Sequence, residues 1–238
     1  MAALGLPGAL AHQDRSRYWN CSARALRAAR WKDECVHPRK LTMMHPILLV
    51  HGINDTSACF RKMQSVLQAR GFDHVHAMDI IPSDASITLE AMGEQVMDGV
   101  RACQAATGTP TVDIVAFSMG ALAARYALHH LEEQSSVQRR LVSLSGPHHG
   151  TLTAHLSWRA GVRQMRRGSQ FLRDLNASDS RSVEVFSFWS PFDLVVIPAT
   201  SSVVEGAHNR AFRVMQHHQM LTDDRVIEAV AQALAPGD

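Results

Sequence analysis

The chain has 238 residues, of which 46% are hydrophobic and 19% are charged, and its formal net charge is +2. These values are typical of one globular domain with a large core, and they exclude an intrinsically disordered chain. The small net charge and the absence of basic stretches with regular aromatics argue against a nucleic-acid partner. The apolar runs are too short to span a membrane, and the four cysteines show neither zinc-finger nor disulfide spacing.

The first 42 residues differ in composition from the rest, and we predict a basic N-terminal extension at 1–42. The stretch 15–40 is rich in arginine and alanine and suggests a basic helix. It would pack on the domain, bind an acidic surface, or lie outside the natural product, since Met43 and Met44 offer a later start. The apolar residues 1–11 lack a positively charged leader, so we expect an unprocessed, cytoplasmic protein.

From residue 43 onward, strand and helix patterns alternate, which predicts βαβ units and a parallel sheet with helices on both faces. Reactive side chains in such sheets lie at the carboxyl ends of the strands. The predicted strands are 47–50, 75–80, 112–117, 141–145, 183–188 and 212–215, and the predicted helices include 57–69, 86–107, 122–131 and 223–234.

The third predicted strand ends in Ala116-Phe117-Ser118-Met119-Gly120, and a helical pattern follows at once. Strand, tight turn and helix form the context in which a serine is held on a strained elbow with its hydroxyl exposed. The usual motif has glycine two residues before the serine, and alanine is a small residue that such a close turn still admits. The motif indicates a nucleophile at Ser118, against the alternative of an ordinary strand–helix connection.

The first predicted strand ends in His51-Gly52-Ile53, where glycine lets the backbone turn so that the next N–H points into the crevice. With the N–H of Met119, directly after the serine, the N–H of Ile53 would form a two-donor oxyanion hole. Taken alone, this dipeptide is equally typical of an ordinary turn.

An acid and a base are predicted from the ends of the last two strands. Asp193 precedes apolar residues and a proline, where a carboxylate can be held rigid beneath an imidazole, although a turn aspartate is the alternative. His217 and His218 follow the sixth predicted strand, and one of them is expected to be the general base. A serine hydroxyl needs such a neighbour because it is a weak nucleophile until its proton is accepted.

Two further segments lie between the elbow and the aspartate. The first, 145–151, contains glycines, a proline and the pair His148 and His149, and we interpret it as a rigid loop rather than as a base or a metal site. The second, 152–175, mixes apolar residues with five arginines and predicts one or two amphipathic helices over the crevice. It is either a lid that opens at a lipid interface or a fixed cap that lines an acyl pocket.

From about residue 45 to 234 the chain resembles an α/β-hydrolase and, more narrowly, the small bacterial triacylglycerol lipases. The resemblance rests on His-Gly-Ile-Asn at 51–54, Ala-Phe-Ser-Met-Gly at 116–120, Gly-Pro-His-His-Gly-Thr at 146–151, Asp-Leu-Val-Val-Ile-Pro at 193–198 and His-Gln-Met-Leu at 218–221. It implies a mostly parallel sheet of about six strands in a catalytic domain spanning 43–238, with a short helical cap at 152–177.

The resemblance also implies a role for each candidate site residue. Ser118 would be the nucleophile, Asp193 the acid, and His218 the base, in the serine–aspartate–histidine order of α/β-hydrolases. Ile53 and Met119 would supply the oxyanion-hole N–H groups.

The expected function is therefore a serine hydrolase that cleaves acyl or lipid esters through an acyl-enzyme, with no cofactor or metal. Its partner would be a small ester or lipid, with transient contact to a lipid interface and no nucleic acid. Three alternatives stay open: a thioesterase or acyltransferase with the same triad, a non-catalytic binding module of this fold, or a function carried by 15–40 docking on anionic membrane or nucleic acid.

Overall fold

The computed structural model describes residues 44–131, 139–178 and 183–236, so the predicted N-terminal extension at 1–42 lies outside the described residues. Within these ranges six strands form one fully parallel sheet in the order β2-β1-β3-β4-β5-β6. This confirms the predicted fold class. The strands are β1 (Ile47–Val50), β2 (Val75–Met78), β3 (Asp113–Phe117), β4 (Arg139–Leu144), β5 (Val183–Trp189) and β6 (His208–Ala211).

Six α-helices connect and follow the strands in the described part of the chain. The longest, which was predicted to begin at Ser86, is capped two residues later. The Thr88 side chain accepts a hydrogen bond from the Ala91 N–H, and Gly108, with φ of 70°, ends the helix. The helices are α1 (Arg61–Ala69), α2 (Leu89–Thr107), α3 (Met119–Tyr126), α4 (Ala160–Gln164), α5 (Gln170–Ala177) and α6 (Asp224–Leu234).

Helices cover both faces of the sheet, as β1 illustrates. All four of its residues are buried, because alternate side chains point to opposite faces. Leu48 and Val50 join a core formed with α2, α3 and the cap helices α4 and α5. Ile47 and Leu49 join a second core formed with α1 and α6. The sheet is thus the middle of three layers, and its carboxyl edge is where the connecting loops gather.

The prediction of a sixth strand at 212–215 is wrong. The strand that pairs with β5 is His208–Ala211, whose four residues are exposed at the edge of the sheet. Phe212 and Val214 are buried just beyond its end, in the core shared with α6. Their apolar alternation therefore reflects packing of a loop against that core, whereas pairing with β5 falls on a polar segment.

The segment after β4 forms the predicted helical cap. A 3₁₀ turn at Leu152–Leu156 leads into α4 and α5. Val162, Met165 and Phe171 are buried from these helices, while arginines occupy their outer side, which confirms the amphipathic pattern. In the described residues no helix combines the length and the apolar character needed to cross a bilayer.

Candidate active site

Ser118 occupies a strained turn between β3 and α3. Its φ of 53° and ψ of −122° lie in a region that non-glycine residues rarely adopt, at a cost of about 1–3 kcal/mol. Two backbone hydrogen bonds hold it there, from the Ser118 N–H to the Leu144 carbonyl at 2.8 Å and from the Ala121 N–H to the Ser118 carbonyl at 3.1 Å. The neighbouring strands therefore determine where the hydroxyl stands.

Close packing beside the serine explains two glycines of the motifs. A Cβ added at Gly120 would overlap the carbonyl oxygen of His51 and lie 2.9 Å from that of Val50. A Cβ added at Gly52 would lie 3.1 Å from the Cβ of Ser118. The loop after β1 and the start of α3 can therefore meet only because both residues lack a side chain.

The two predicted oxyanion donors remain available in this arrangement. Met119 is the first residue of α3, where an N–H has no acceptor within its own helix. Neither its N–H nor that of Ile53 donates a hydrogen bond to any residue that the structure describes. Ser118 precedes Met119 and Gly52 precedes Ile53, and these two preceding residues pack against each other. Two free donors thus lie close to the serine.

His51 anchors the peptide group that carries one of these donors. The imidazole is fully buried, and its Nε2 accepts the Ile80 N–H at 2.9 Å. Because a backbone N–H can only donate, Nε2 is unprotonated and the ring proton is on Nδ1. Nδ1 then donates to the Gly52 carbonyl at 2.8 Å, which belongs to the same peptide group as the Ile53 N–H. Sequence reasoning did not assign this role to His51.

Asp193 is buried and fully engaged by hydrogen bonds. Its Oδ1 accepts the N–H groups of Val195 at 2.8 Å and Val196 at 2.9 Å, and its Oδ2 lies 2.6 Å from Nδ1 of His217. Burial raises the pKa of Asp193, but the hydrogen bond and charge of His217 and the two backbone N–H groups together bring that pKa below its usual value. The carboxylate is therefore ionised at neutral pH.

The prediction that His218 is the partner of the aspartate is wrong. The structure places Nε2 of His218 3.2 Å from Oδ2 of Asp55, with 65% of the histidine side chain exposed. His217, Met220 and Leu221 are the buried residues of the 3₁₀ turn His217–Leu221, in which residues three apart, such as His217 and Met220, share one face. His218 likewise lies three residues before Leu221, so the spacing does not choose between the two histidines, and the structure identifies His217 as the inward-facing one.

His217 lies next to the elbow as well as to the aspartate. Its ring centroid is 4.7 Å from that of Phe117, the residue that precedes Ser118. Its Nε2 is buried and has no hydrogen-bond partner in the described ranges, and the Ser118 hydroxyl makes no hydrogen bond to the described residues either. Both groups are thus available for a hydrogen bond, and catalytic hydrogen bonds are often long without a substrate.

The loop at 145–151 supports the loop that carries Asp193. The Thr151 hydroxyl donates to the Val195 carbonyl and accepts the Ile197 N–H, both at 2.9 Å. The Thr153 hydroxyl donates to the same Val195 carbonyl at 2.7 Å. These contacts fix the backbone whose N–H groups bind the Asp193 carboxylate.

The paired histidines of that loop have different surroundings. His148 is fully buried with its Nε2 2.7 Å from the Ser143 hydroxyl, and burial lowers its pKa well below the usual value. His149 is exposed, and its N–H donates to the Ser201 carbonyl. Among the described residues, no three His, Cys, Asp or Glu side chains are grouped to hold a metal ion.

Comparison with known proteins places the chain in a family. The model of the lipase (class 2) family matches residues 44–235. Lipase B from Aspergillus fumigatus superposes with a TM-score of 0.69 at 20% identity, over 82% of this chain, which spans about half (54%) of that lipase. The mature lipase BlEst2 from Bacillus licheniformis gives a TM-score of 0.68 at 16% identity, over 81% of this chain and 93% of that one.

A product of the gene lin2722 from Listeria innocua also shares the fold, with a TM-score of 0.60 at 13% identity over 82% of this chain and 96% of that one. A comparison with curated proteins found no match. At these identities the structural likeness shows the fold alone, and the family follows from the sequence match over most of the chain. The chain therefore belongs to the class 2 lipases, a family of carboxylic ester hydrolases with the α/β-hydrolase fold.

Proposed function

We propose that the protein hydrolyses acyl esters of glycerol or similar alcohols with Ser118 as nucleophile, His217 as general base and Asp193 as the carboxylate that orients the imidazole. The observation that carries this proposal is the 2.6 Å contact between Asp193 and His217, which leaves the second ring nitrogen of His217 unpartnered beside the elbow. His217 replaces His218 in this role because only the former contacts the aspartate.

The first half of the reaction forms an acyl-enzyme. The Ser118 oxygen attacks the ester carbonyl carbon while its proton moves to Nε2 of His217. The carbonyl oxygen becomes an oxyanion and accepts hydrogen bonds from the N–H groups of Met119 and Ile53. When the intermediate collapses, the bond to the alcohol oxygen breaks and the alcohol leaves with the proton from His217.

The second half returns the free enzyme. Water attacks the acyl carbon, and His217 accepts its proton, so that a second oxyanion forms at the same site. Collapse breaks the bond to the Ser118 oxygen, which takes the proton back, and the carboxylic acid departs. Asp193 keeps the proton of His217 on Nδ1 and stabilises the imidazolium without becoming protonated. Its lowered pKa suits that role.

Hydrogen-bond donors held in fixed positions contribute much of the rate enhancement in such a site. Loss of one oxyanion-hole donor typically costs about 2.7–4 kcal/mol of transition-state stabilisation. The Met119 N–H is held by the elbow geometry, and the Ile53 N–H is held through the hydrogen bond from His51 to the Gly52 carbonyl. Neither group needs to reorganise when charge develops on the substrate.

The test combines active-site labelling with an acyl-donor series. A fluorophosphonate probe should label the parent chain on Ser118 and leave Ser118→Ala unlabelled. The parent should hydrolyse p-nitrophenyl esters of graded chain length faster than acyl-CoA, and the variant should lose at least about a thousandfold in kcat. Preferred cleavage of acyl-CoA would indicate a thioesterase, and full hydrolysis by the variant would show that another serine acts.

A further inference from the structure

Large apolar side chains are exposed on one edge of the molecule. In the described part of the chain, each of them follows the carboxyl end of a strand: one after β2, three after β4, two after β5 and one after β6. Because the strands are parallel, these positions share the edge that carries Ser118. The residues are Ile81, Leu152, Leu156, Trp158, Leu194, Val195 and Met215.

The cap contacts the loop after β5, which carries Leu194 and Val195. The Leu152 N–H donates to the Ile197 carbonyl at 2.9 Å, which places the start of the cap beside that loop. Leu156 and Trp158, which are 87% and 83% exposed, follow within the same cap segment. Large apolar side chains grouped on neighbouring exposed segments in this way indicate an interaction site.

The cap segment is rich in positive charge. Residues 152–178 contain five arginines and one aspartate. The Arg166 guanidinium lies 5.4 Å from the Trp158 ring centroid, and Arg159 faces only the exposed Asp84, at 3.4 Å. Arg163 and Arg167 are exposed and form no ion pair with any described residue.

Two carboxylates lie near these arginines but form no ion pair with Arg163 or Arg167 among the described residues. Glu90 is bound by the Gln164 side-chain amide at 2.6 and 2.8 Å, and Asp174 is bound by that of Gln170 at 2.6 Å. Arg163 and Arg167 line a groove of about 600 Å³ together with these polar side chains. Arginines outnumber carboxylates in this groove, so the outer side of the cap carries an excess of positive charge beside exposed leucine and tryptophan.

We propose that the cap face, defined as residues 152–173 together with Leu194 and Val195, docks the protein onto an anionic lipid surface. Leu156, Trp158 and Leu194 enter the acyl-chain boundary, while Arg163 and Arg167 contact lipid phosphates. Tryptophan and arginine side by side suit the headgroup region, because each joins an apolar body to a polar end. A bilayer also accepts apolar side chains spread over several loops without a shaped groove.

The proposal rests on the proposed function only in that the same edge holds Ser118, so docking would bring the nucleophile to its lipid substrate. The experiment measures binding alone. Full-length protein carrying Ser118→Ala, which leaves vesicle lipids intact, is sedimented with vesicles of phosphatidylcholine and with mixed phosphatidylcholine–phosphatidylglycerol vesicles. Binding should be tighter to the mixed vesicles and should weaken as salt is added.

Two paired variants in this background test the two parts of the face. Arg163→Gln with Arg167→Gln should lower partition onto the mixed vesicles about 25-fold, or about fivefold for each arginine. Leu156→Ser with Trp158→Ser should lower partition at least tenfold on both kinds of vesicle. Arg101→Gln removes an exposed arginine from α2 and should change nothing. Melting temperatures of the variants should match that of the Ser118→Ala protein. If a paired variant does not fold, the single variant Trp158→Ser or Arg167→Gln is used in its place.

Three results would overturn the proposal. One is the absence of binding to the mixed vesicles. Another is undiminished binding by both paired variants, which would place the lipid contact elsewhere in the chain. The third is a dimer in sedimentation velocity that Leu156→Ser with Trp158→Ser dissociates, since the face would then join two copies. Ester hydrolysis by the parent chain is scored separately on a water-soluble ester, so failure of docking leaves the proposed chemistry intact.

Discussion

Nδ1 of His217 lies 2.6 Å from Oδ2 of Asp193, and both side chains are buried. Because the pKa of Asp193 is lowered, the carboxylate is the acceptor and the proton stays on Nδ1 of the ring. Nε2 has no hydrogen-bond partner among the described residues. This contact distinguishes His217 from its neighbour and leads to the first prediction.

Replacing His217 by alanine should reduce kcat on a soluble p-nitrophenyl ester by about 10³-fold or more, because the serine loses its proton acceptor. The same change at His218 should alter kcat less than about fivefold, because its contact with Asp55 is an exposed pair worth at most ~1 kcal/mol. Steady-state kinetics of the two variants side by side provide the check. Equal losses, or a larger loss at His218, would contradict the assignment.

Asp193→Asn should lower kcat by about 10³–10⁴-fold while leaving the fold intact, because an amide in this position favours the wrong ring tautomer of His217. The loss should appear in kcat rather than in KM. Asp55→Asn serves as the matched control, since Asp55 faces the exposed His218. If the control loses as much activity as Asp193→Asn, the second carboxylate is the one that acts.

His51→Gln should lower kcat about tenfold or more with KM nearly unchanged, because the Ile53 N–H is needed most strongly when the oxyanion forms. His51 acts here as a positioning residue through the Gly52 carbonyl. His76→Gln changes an exposed histidine on β2 and should have no effect. A rise in KM at constant kcat would argue that His51 shapes substrate binding instead.

Gly120→Ala should destabilise the protein by about 1–3 kcal/mol or more, because the added Cβ meets the backbone carbonyls of His51 and Val50. Gly99→Ala in α2 is the matched control. Its Cβ would meet the Met78 sulfur and a Leu48 methyl group, which can move aside. Urea unfolding should show a clearly smaller loss of stability for the control, and similar losses would mean that the contact at the elbow is loose.

The buried His148 should make the folded state less stable in acid. Burial lowers the pKa of His148 well below 6.5. Below pH 6.5 the histidine is therefore protonated in the unfolded chain and stays neutral in the folded chain. Unfolding free energy should therefore fall with decreasing pH, by at most about 1.4 kcal/mol for each pH unit. His148→Gln should reduce that slope when urea unfolding is compared at neutral and mildly acidic pH. An unchanged slope would assign the acid sensitivity to other groups.

The sequence by itself determined the layered architecture and the strand ends at which candidate reactive residues lie. Alternation of apolar strands with helical patterns is a local property, and β1, β3 and the elbow helix follow it closely because their side chains are buried on every side. The small residues around Ser118 indicate the tight turn in the same local way, since such a turn excludes larger side chains. Positions buried in this way are occupied by apolar or small residues, so they can be recognised in the sequence.

Only the tertiary structure decided which polar groups meet. His217 and His218 are chemically identical neighbours, and the packing of Met220 and Leu221 turns one inward and the other to solvent. The position of strand β6 was likewise decided by its pairing with β5. The tautomer of His51 was decided by the backbone N–H of Ile80, which donates to its ring. The physical reason is that these hydrogen bonds each depend on two partners that are distant in sequence. Burial, in contrast, is reflected in the apolar or small character of each buried residue, which the sequence shows directly.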